Sequence, residues 1–364
     1  MRSLATIQTI NKIEQIEGAD RIELATILGW HVVVKKGEFN VGDKCVYIEI
    51  DSLLPEKPEF EFLREKKFRI KTMRVRGVIS QGICFPLSVV GIDEAKYNIG
   101  DDVTEILGVT KYDLDDDADL EGKTSTKVNS KFIKFLMRYK FFRKIFGKKK
   151  KKGDGFPTEY ISKTDETRIQ SMPWVLERDC GEYYYSCEKL DGSSGSFLLV
   201  KNKFPHNIFG KKYEYIVASR NRIAPQDSSY TKVSEKYNVE EVLKSIAKET
   251  SASMVAIQGE VIGDKIQGNK YKISGHQLYV FNLIIDSKLK NIHEMHDILD
   301  KYNMLIVPLV WEGQLNFTVD EVIEMSKGKS HLAKRNREGL VFRKLSDPKV
   351  SFKAINPEFL LEEK

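Results

Sequence analysis

Between Tyr112 and Pro157 the chain changes character twice, and that break predicts that the rest folds as two separate units. Residues 112 to 121 carry Asp113, Asp115, Asp116, Asp117, Asp119 and Glu121. So much like charge has no place in a core, and the stretch reads as a solvated linker. Residues 127 to 152 are the opposite, basic and ending in five lysines, Lys148 to Lys152. Apolar side chains at 132, 135, 136, 139, 142 and 146 keep a helical period there. Three uses compete for such a helix: packing its aromatic stripe on a domain, lying along an RNA backbone, or binding an anionic membrane surface. Packing ranks first for the stripe and RNA first for the lysine run. Gly153-Asp154-Gly155-Phe156-Pro157 then interrupts the chain. The expected division is a first domain over 1–115, an acidic then basic linker or helical insertion over 116–157, and a second domain over 158–364. A length of 364 residues fits two domains.

The first part reads as short strands separated by glycine turns. Ile22–Ile27, Trp30–Val34, Cys45–Ile50, Arg69–Val75 and Gly82–Phe85 suggest a small barrel. Alternation along Arg69–Val75 puts Arg69 and Lys71 on one strand face, with Arg76 at its end. A solvated face is the ordinary reading of these charges; contact with phosphate is the functional one. In the second part, strands are expected at Tyr183–Cys187, Ser196–Val200, Tyr215–Ala218, Met254–Val261, Leu278–Ile285 and Gly339–Phe342. Helices are expected at Val239–Glu249, Ile292–Tyr302 and Val319–Ser326, with Asn291 and Thr318 as N-caps. Strands and helices do not alternate regularly, so the class is α+β with a mainly antiparallel sheet.

Composition excludes several classes. The hydrophobic fraction of 41% supports a core, and a net charge of +6 is too small to imply nucleic acid by itself. Neither a signal peptide nor a membrane span is legible, so an intracellular, soluble protein without a membrane partner is expected. Cys45, Cys84, Cys180 and Cys187 are too scattered for a disulfide framework or a zinc site. His293 and His296 have helical spacing that permits metal binding, but without a third ligand an ordinary surface is the better reading.

Chemistry concentrates in Glu188-Lys189-Leu190-Asp191-Gly192-Ser193. A lysine amine attacks only when neutral, so its site is expected to lower its pKa by burial or nearby positive charge, including a metal. The carboxylate organises charge, and Gly192 lets the backbone turn close to a phosphate. Alone, Lys-x-Asp-Gly is weak, and an exposed lysine in a turn is the default reading. Further segments follow it in order: Ser219-Arg220-Asn221, Gly259-Glu260-Val261-Ile262-Gly263, Leu278-Tyr279-Val280-Phe281-Asn282, Glu338-Gly339-Leu340-Val341-Phe342-Arg343 and Ser351-Phe352-Lys353-Ala354-Ile355.

Together these resemble the ordered motifs of the covalent nucleotidyltransferases, the superfamily of ATP-dependent ligases and mRNA capping enzymes. Lys163–Gln170 and Ile266–Tyr271 resemble RNA ligases in particular. The run Arg69–Gly77 with Ser80-Gln81-Gly82 is similar to the leading OB domain of the Naegleria-type RNA ligases. The resemblance implies an OB-type β-barrel followed by an adenylyltransferase domain. It implies RNA with 3′-OH and 5′-phosphate ends as substrate, ATP as cofactor with Mg²⁺ or Mn²⁺, covalent AMP on Lys189, and a role in RNA repair. Asp191, Glu260 and Glu338 would hold the metal through water. Arg168, Glu188, Asp191, Gly192, Arg220, Glu260, Phe281, Glu338 and Lys353 would bind the nucleotide, and Arg69, Lys71 and Arg76 would supply barrel contacts to phosphate. Glu188 either reads the adenine amine or merely precedes the nucleophile. Phe281 either stacks on adenine or belongs to the core. The family's last motif has two lysines, whereas here Ser351 stands at one of the positions, with Lys349 as a possible spatial substitute.

A DNA ligase and a capping-type nucleotidyltransferase are the nearest alternatives. Both carry the OB domain after the catalytic one, whereas this chain ends about ten residues past Lys353. A non-catalytic RNA-binding scaffold is a third alternative, but it has no use for Lys189, Glu260 and Glu338. A monomer is expected.

Overall fold

A computed structural model describes residues 3–112, 155–202 and 212–362. The acidic stretch from 113, and the basic stretch with its expected helix, lie outside the described residues.

The front unit is built on β1 (Ala5–Gln15), which sits mid-sheet with β2 (Ile22–Ile27), β3 (Trp30–Lys35), β4 (Lys44–Ile48) and, after short pieces, β8 (Ile83–Pro86) in the order β3-β2-β1-β4-β8. β1 was not legible in the sequence. Its polar residues Thr6, Gln8, Thr9 and Asn11 blur the alternation, and a register shift between Ile10 and Lys12 breaks the period. Ile7, Ile10, Ala25, Trp30, Val46 and Ile48 are fully enclosed, giving the barrel a dry interior. Arg69–Val75 is not one strand. Strand β6 covers only Met73–Val75 and pairs with β7 (Val78–Ser80), while β5 (Ser52–Leu53) pairs with β9 (Thr110–Lys111). Arg69 instead stacks on Tyr112, 3.7 Å from the ring centroid, and pairs with Asp51 at 3.4 Å. Arg76 lies exposed in the tight turn between β6 and β7, with φ 49°.

The rear unit holds two sheets. One has four strands in the order β17-β10-β18-β19: β10 (Tyr183–Lys189), β17 (Leu309–Gln314), β18 (Gly339–Lys344) and β19 (Ser351–Ile355). The other runs β12-β11-β13-β14-β15, from β11 (Ser193–Lys201), β12 (Tyr213–Ser219), β13 (Met254–Gly263), β14 (His276–Ile285) and β15 (Lys288–Leu289). The short β16 (Leu305–Ile306) adds to β14 in parallel. All other strand–strand pairings among the described residues are antiparallel, as the irregular order of elements implied, and a single parallel bridge joins Arg168 to Lys353. The helices Val239–Thr250, Ile292–Leu299 and Val319–Ser326 are where the sequence put them. Asn291 and Thr318 each form a full capping box, with Glu294 and Glu321. No helix among the described residues is long and apolar enough to cross a membrane.

The two units meet through directed bonds. The Gly29 amide donates to the Gln170 carbonyl at 2.9 Å, and Trp30 Nε1 donates to Ser171 Oγ at 3.2 Å. Asp51 pairs with Arg168 at 2.8 Å, and Arg74 with Glu358 at 2.6 Å. The helix Pro357–Glu362 sits between the units, its Leu360 packed on the barrel core.

Candidate active site

Strand register brings the chemical groups together. Lys189 ends β10 opposite Gly339, the first residue of β18, so Glu338 arrives beside it, and the Lys189 ammonium meets Glu338 Oε1 at 2.6 Å. Immediately after Lys189 the chain crosses to the other sheet, where Ser194 of β11 faces Glu260 of β13. Two glycines leave no room for a side chain, Gly192 in that crossing and Gly339 where β18 packs on β19. A Cβ on Gly192 would lie 2.5 Å from the Val261 carbonyl oxygen, and one on Gly339 would lie 2.2 Å from that of Ala354. The neighbouring strand therefore leaves no room for a side chain at Gly192.

A cavity of about 310 Å³ opens between the sheets, within the range of small-molecule sites. Its walls include Arg168, Glu188, Lys189, Asp191, Gly192, Arg220, Glu260, Phe281, Glu338 and Lys353. Every nucleotide-site residue expected from the sequence thus lines one space. Arg69, Lys71 and Arg76 do not; the barrel contributes Asp51 and Lys111 instead. Lys349 and Ser351 line a neighbouring cavity with Lys163, so Lys349 does not stand beside Lys353.

Further residues fix these groups. Asp191 is held by Lys270 at 2.5 Å, and its amide donates to Tyr271 Oη at 2.8 Å. Asp165 pairs with Lys353 at 2.9 Å and with Arg220 at 3.4 Å, while Glu166 pairs with the buried Arg343 at 2.7 Å. Glu188 is only 2% exposed. Its Oε2 accepts from the His331 amide at 2.8 Å and contacts His331 Nδ1 at 2.9 Å, while Oε1 is buried with no partner. Lys270, Tyr271 and Asp165 stood inside runs that the sequence singled out, but no role was legible for them. His331 carried no signal at all.

The electrostatics depart from expectation. Burial alone would lower the Lys189 pKa, but Glu338, Glu260 and Asp191 outweigh it and hold the ammonium above its usual range. With protein groups alone, the three carboxylates crowding one amine outweigh its burial. Burial pushes the Glu260 carboxyl up to about 8, against the attraction of Lys189 and with the repulsion of Glu338 and Asp191. Burial likewise raises Glu338. Lysine and acids alike hold on to protons, the signature of a site short of positive charge. Lys353 goes the other way, lowered to about 8 by burial and by the nearby Arg168 and Lys189, against the pull of Asp165.

That deficit is the test of fit for a divalent cation. Glu338 Oε2 is buried without a partner and burial pushes the Glu260 carboxyl up to about 8, so an added cation would serve both. Among the described residues no three His, Cys, Asp or Glu side chains are arranged to bind a metal directly. A hydrated ion held through its waters suits such carboxylates. His293 is occupied by Glu312 at 2.9 Å and His296 by Asp300 at 3.1 Å, ordinary surface pairs. All four cysteines are free.

An RNA ligase family model matches residues 182–355, and an OB-fold domain model matches residues 4–87. No curated protein matches the chain. Among solved structures, Naegleria gruberi RNA ligase with PPi is 30% identical, with TM-score 0.82, over 100% of this chain and 99% of that one. A mutant of the same ligase with AMP and Mn gives 30% and 0.81 over 100% and 99%. Another mutant, with ATP and Mn, gives 30% and 0.81 over 99% of each chain. An OB-fold domain docked on an antiparallel ligase core is the class of architecture. Within it, this chain belongs to the RNA ligase family.

Proposed function

We propose that the protein joins RNA 3′-OH and 5′-phosphate ends in an ATP-dependent reaction through AMP carried on Lys189. The observation that carries this reading is the Lys189–Glu338 pair at 2.6 Å, set with Glu260 and Asp191 in a cavity also lined by Arg168 and Lys353. Naegleria gruberi RNA ligase structures with ATP and Mn, and with AMP and Mn, support ATP and a divalent ion, Mg²⁺ or Mn²⁺, as the cofactors. The ion, held through water by Asp191, Glu260 and Glu338, would neutralise phosphate charge and favour the neutral amine.

Lys189 Nζ attacks the α-phosphorus of ATP, a P–N bond forms, and pyrophosphate leaves with the bonding pair. The lysine loses its proton, and Glu338, 2.6 Å away, is placed to receive it. An RNA 5′-phosphate oxygen then attacks the same phosphorus, returning Lys189 to the free amine and forming an RNA-adenylate. Finally a 3′-hydroxyl attacks the 5′-phosphate and AMP leaves. Each step is displacement at phosphorus, in which alignment and charge neutralisation do most of the catalysis. Arg168, Arg220 and Lys353 supply the positive charge. Glu188 Oε1, the buried acceptor without a partner, reads the adenine amine, and Phe281 lies against the base. The front domain over 1–115 presents Asp51 and Lys111 to this site, and residues 158–364 form the adenylyltransferase domain. Incubation with α-labelled ATP and Mn²⁺, followed by a denaturing gel, tests the reading. A labelled adduct in the native protein and none in Lys189→Ala is expected. A labelled Lys189→Ala variant overturns the assignment.

A further inference from the structure

The loop from Lys327 to Arg337, which leads into Glu338, holds five Lys or Arg and one His in eleven residues, with no acid. Like charges at this density repel, and such a segment is ordinarily floppy. This one is closed on itself. The Arg337 amide donates to the Gly328 carbonyl at 3.0 Å, the Ser330 amide to the Arg335 carbonyl at 2.9 Å, and Lys329 Nζ to Asn336 Oδ1 at 3.0 Å. Arg337 turns inward and donates to the Met325 and Ser326 carbonyls at 2.9 and 3.1 Å, closing the end of the preceding helix. His331 ties the loop to Glu188, the neighbour of Lys189.

What remains outward is unbalanced. Lys327 is paired with Glu324, but among the described residues neither Lys329 nor Lys334 forms an ion pair, and both are exposed. Arg335 lies over Phe359 at 5.3 Å, with no ion pair among the described residues. An open surface depression is lined by Lys329 to Lys334. An ordered backbone carrying outward lysines that no carboxylate pairs is what a polyanion-binding surface needs, since the ordering cost is met before the ligand arrives. Its place beside Glu188 and Glu338 puts it at the rim of the nucleotide cavity.

We infer that this loop is a docking surface for the RNA phosphate backbone next to the end being sealed. The inference rests on the ligase reading for its partner, and its geometry makes the contact indifferent to base sequence, because nothing in it offers a pattern for base edges.

The test uses the full-length protein with Lys329→Ser and Lys334→Ser combined. Binding of a 5′-phosphorylated single-stranded RNA is measured against salt, together with the KM for RNA in sealing and labelling by ATP alone. Each lost phosphate contact lowers the log–log salt slope by about 0.7, so the double variant is expected to lose about 1.4. Its KM for RNA should rise several-fold, while ATP labelling stays within about twofold. Lys329→Arg with Lys334→Arg should keep the native slope. An unchanged slope and KM in the serine variant overturn the inference. Failure of the native protein to label with ATP would overturn the ligase reading instead, and the salt slopes would still report on the loop.

Discussion

Glu260→Gln is expected to make the metal-free protein more stable above neutral pH, although it removes a residue assigned to catalysis. The carboxyl is held near 8 in the folded chain against a normal value of 4.5. Between those values the unfolded state releases a proton that the folded state keeps, so folding loses stability as pH rises from about 4.5 to 8 and no further beyond. A difference of 3.5 pH units corresponds to roughly 5 kcal/mol. Lys189 and Glu338 share the charge cluster and relax as Glu260 ionises, so about half of that, roughly 2–3 kcal/mol, is the expected net effect. Glutamine keeps the shape and cannot ionise. Thermal melts of both proteins in chelator, at intervals from pH 5 to 9, should nearly coincide at pH 5 and separate by several degrees by pH 8. Millimolar Mn²⁺ should then raise the melting temperature of the native protein more than that of the variant. Parallel pH profiles, or a variant less stable at pH 8, would refute the account of a site short of positive charge.

Glu338→Gln removes the pair to Lys189 and should reduce ATP labelling at least 100-fold with the fold intact by circular dichroism. Full labelling would assign Glu338 a structural role. His331→Ala frees the Glu188 carboxylate and should raise the KM for ATP several-fold and weaken discrimination against GTP, with kcat moving less. A change in kcat alone would contradict the positioning role. Gly192→Ala forces Asp191 and the Val261 carbonyl apart and should cost about 2–4 kcal/mol of stability as well as activity. An unchanged melting temperature would show that the crossing is looser than described. Asp51→Asn removes the ion pair to Arg168 across the two units and should raise the KM for ATP while leaving sealing of pre-adenylated RNA intact; equal loss in both assays would count against it.

The sequence disclosed the candidate site because its groups lie on or next to strands whose register brings them together. Glu260 and Glu338 each adjoin a glycine at a strand, and Lys189 stands three residues before Gly192, a pattern visible without coordinates. Residues that act through others left less trace. Asp165 and Lys270 matter by reaching across from elements far away in the chain, and His331 reaches Glu188 over 143 positions. No local period encodes such a contact. The first strand was missed for a different reason: a mid-sheet strand with polar residues and a register break mimics a loop. The sign of the Lys189 shift depends on summing several charges in three dimensions, which no linear reading supplies.

The short helix Pro357–Glu362 has a mechanical consequence. Leu360 anchors it in the barrel core, Glu358 reaches Arg74 of the barrel, and Glu362 accepts from Asn336 in the basic loop at 2.6 Å. Phe359 lies between Lys270 and Arg335, 4.9 and 5.3 Å from its ring centroid. One turn and a half of helix therefore fastens barrel, loop and adenylyltransferase core at a single point. Heat should not peel the barrel away first. A calorimetric scan of the intact chain should trace one endotherm, whose midpoint shifts as a whole when Leu360 is cut back to alanine.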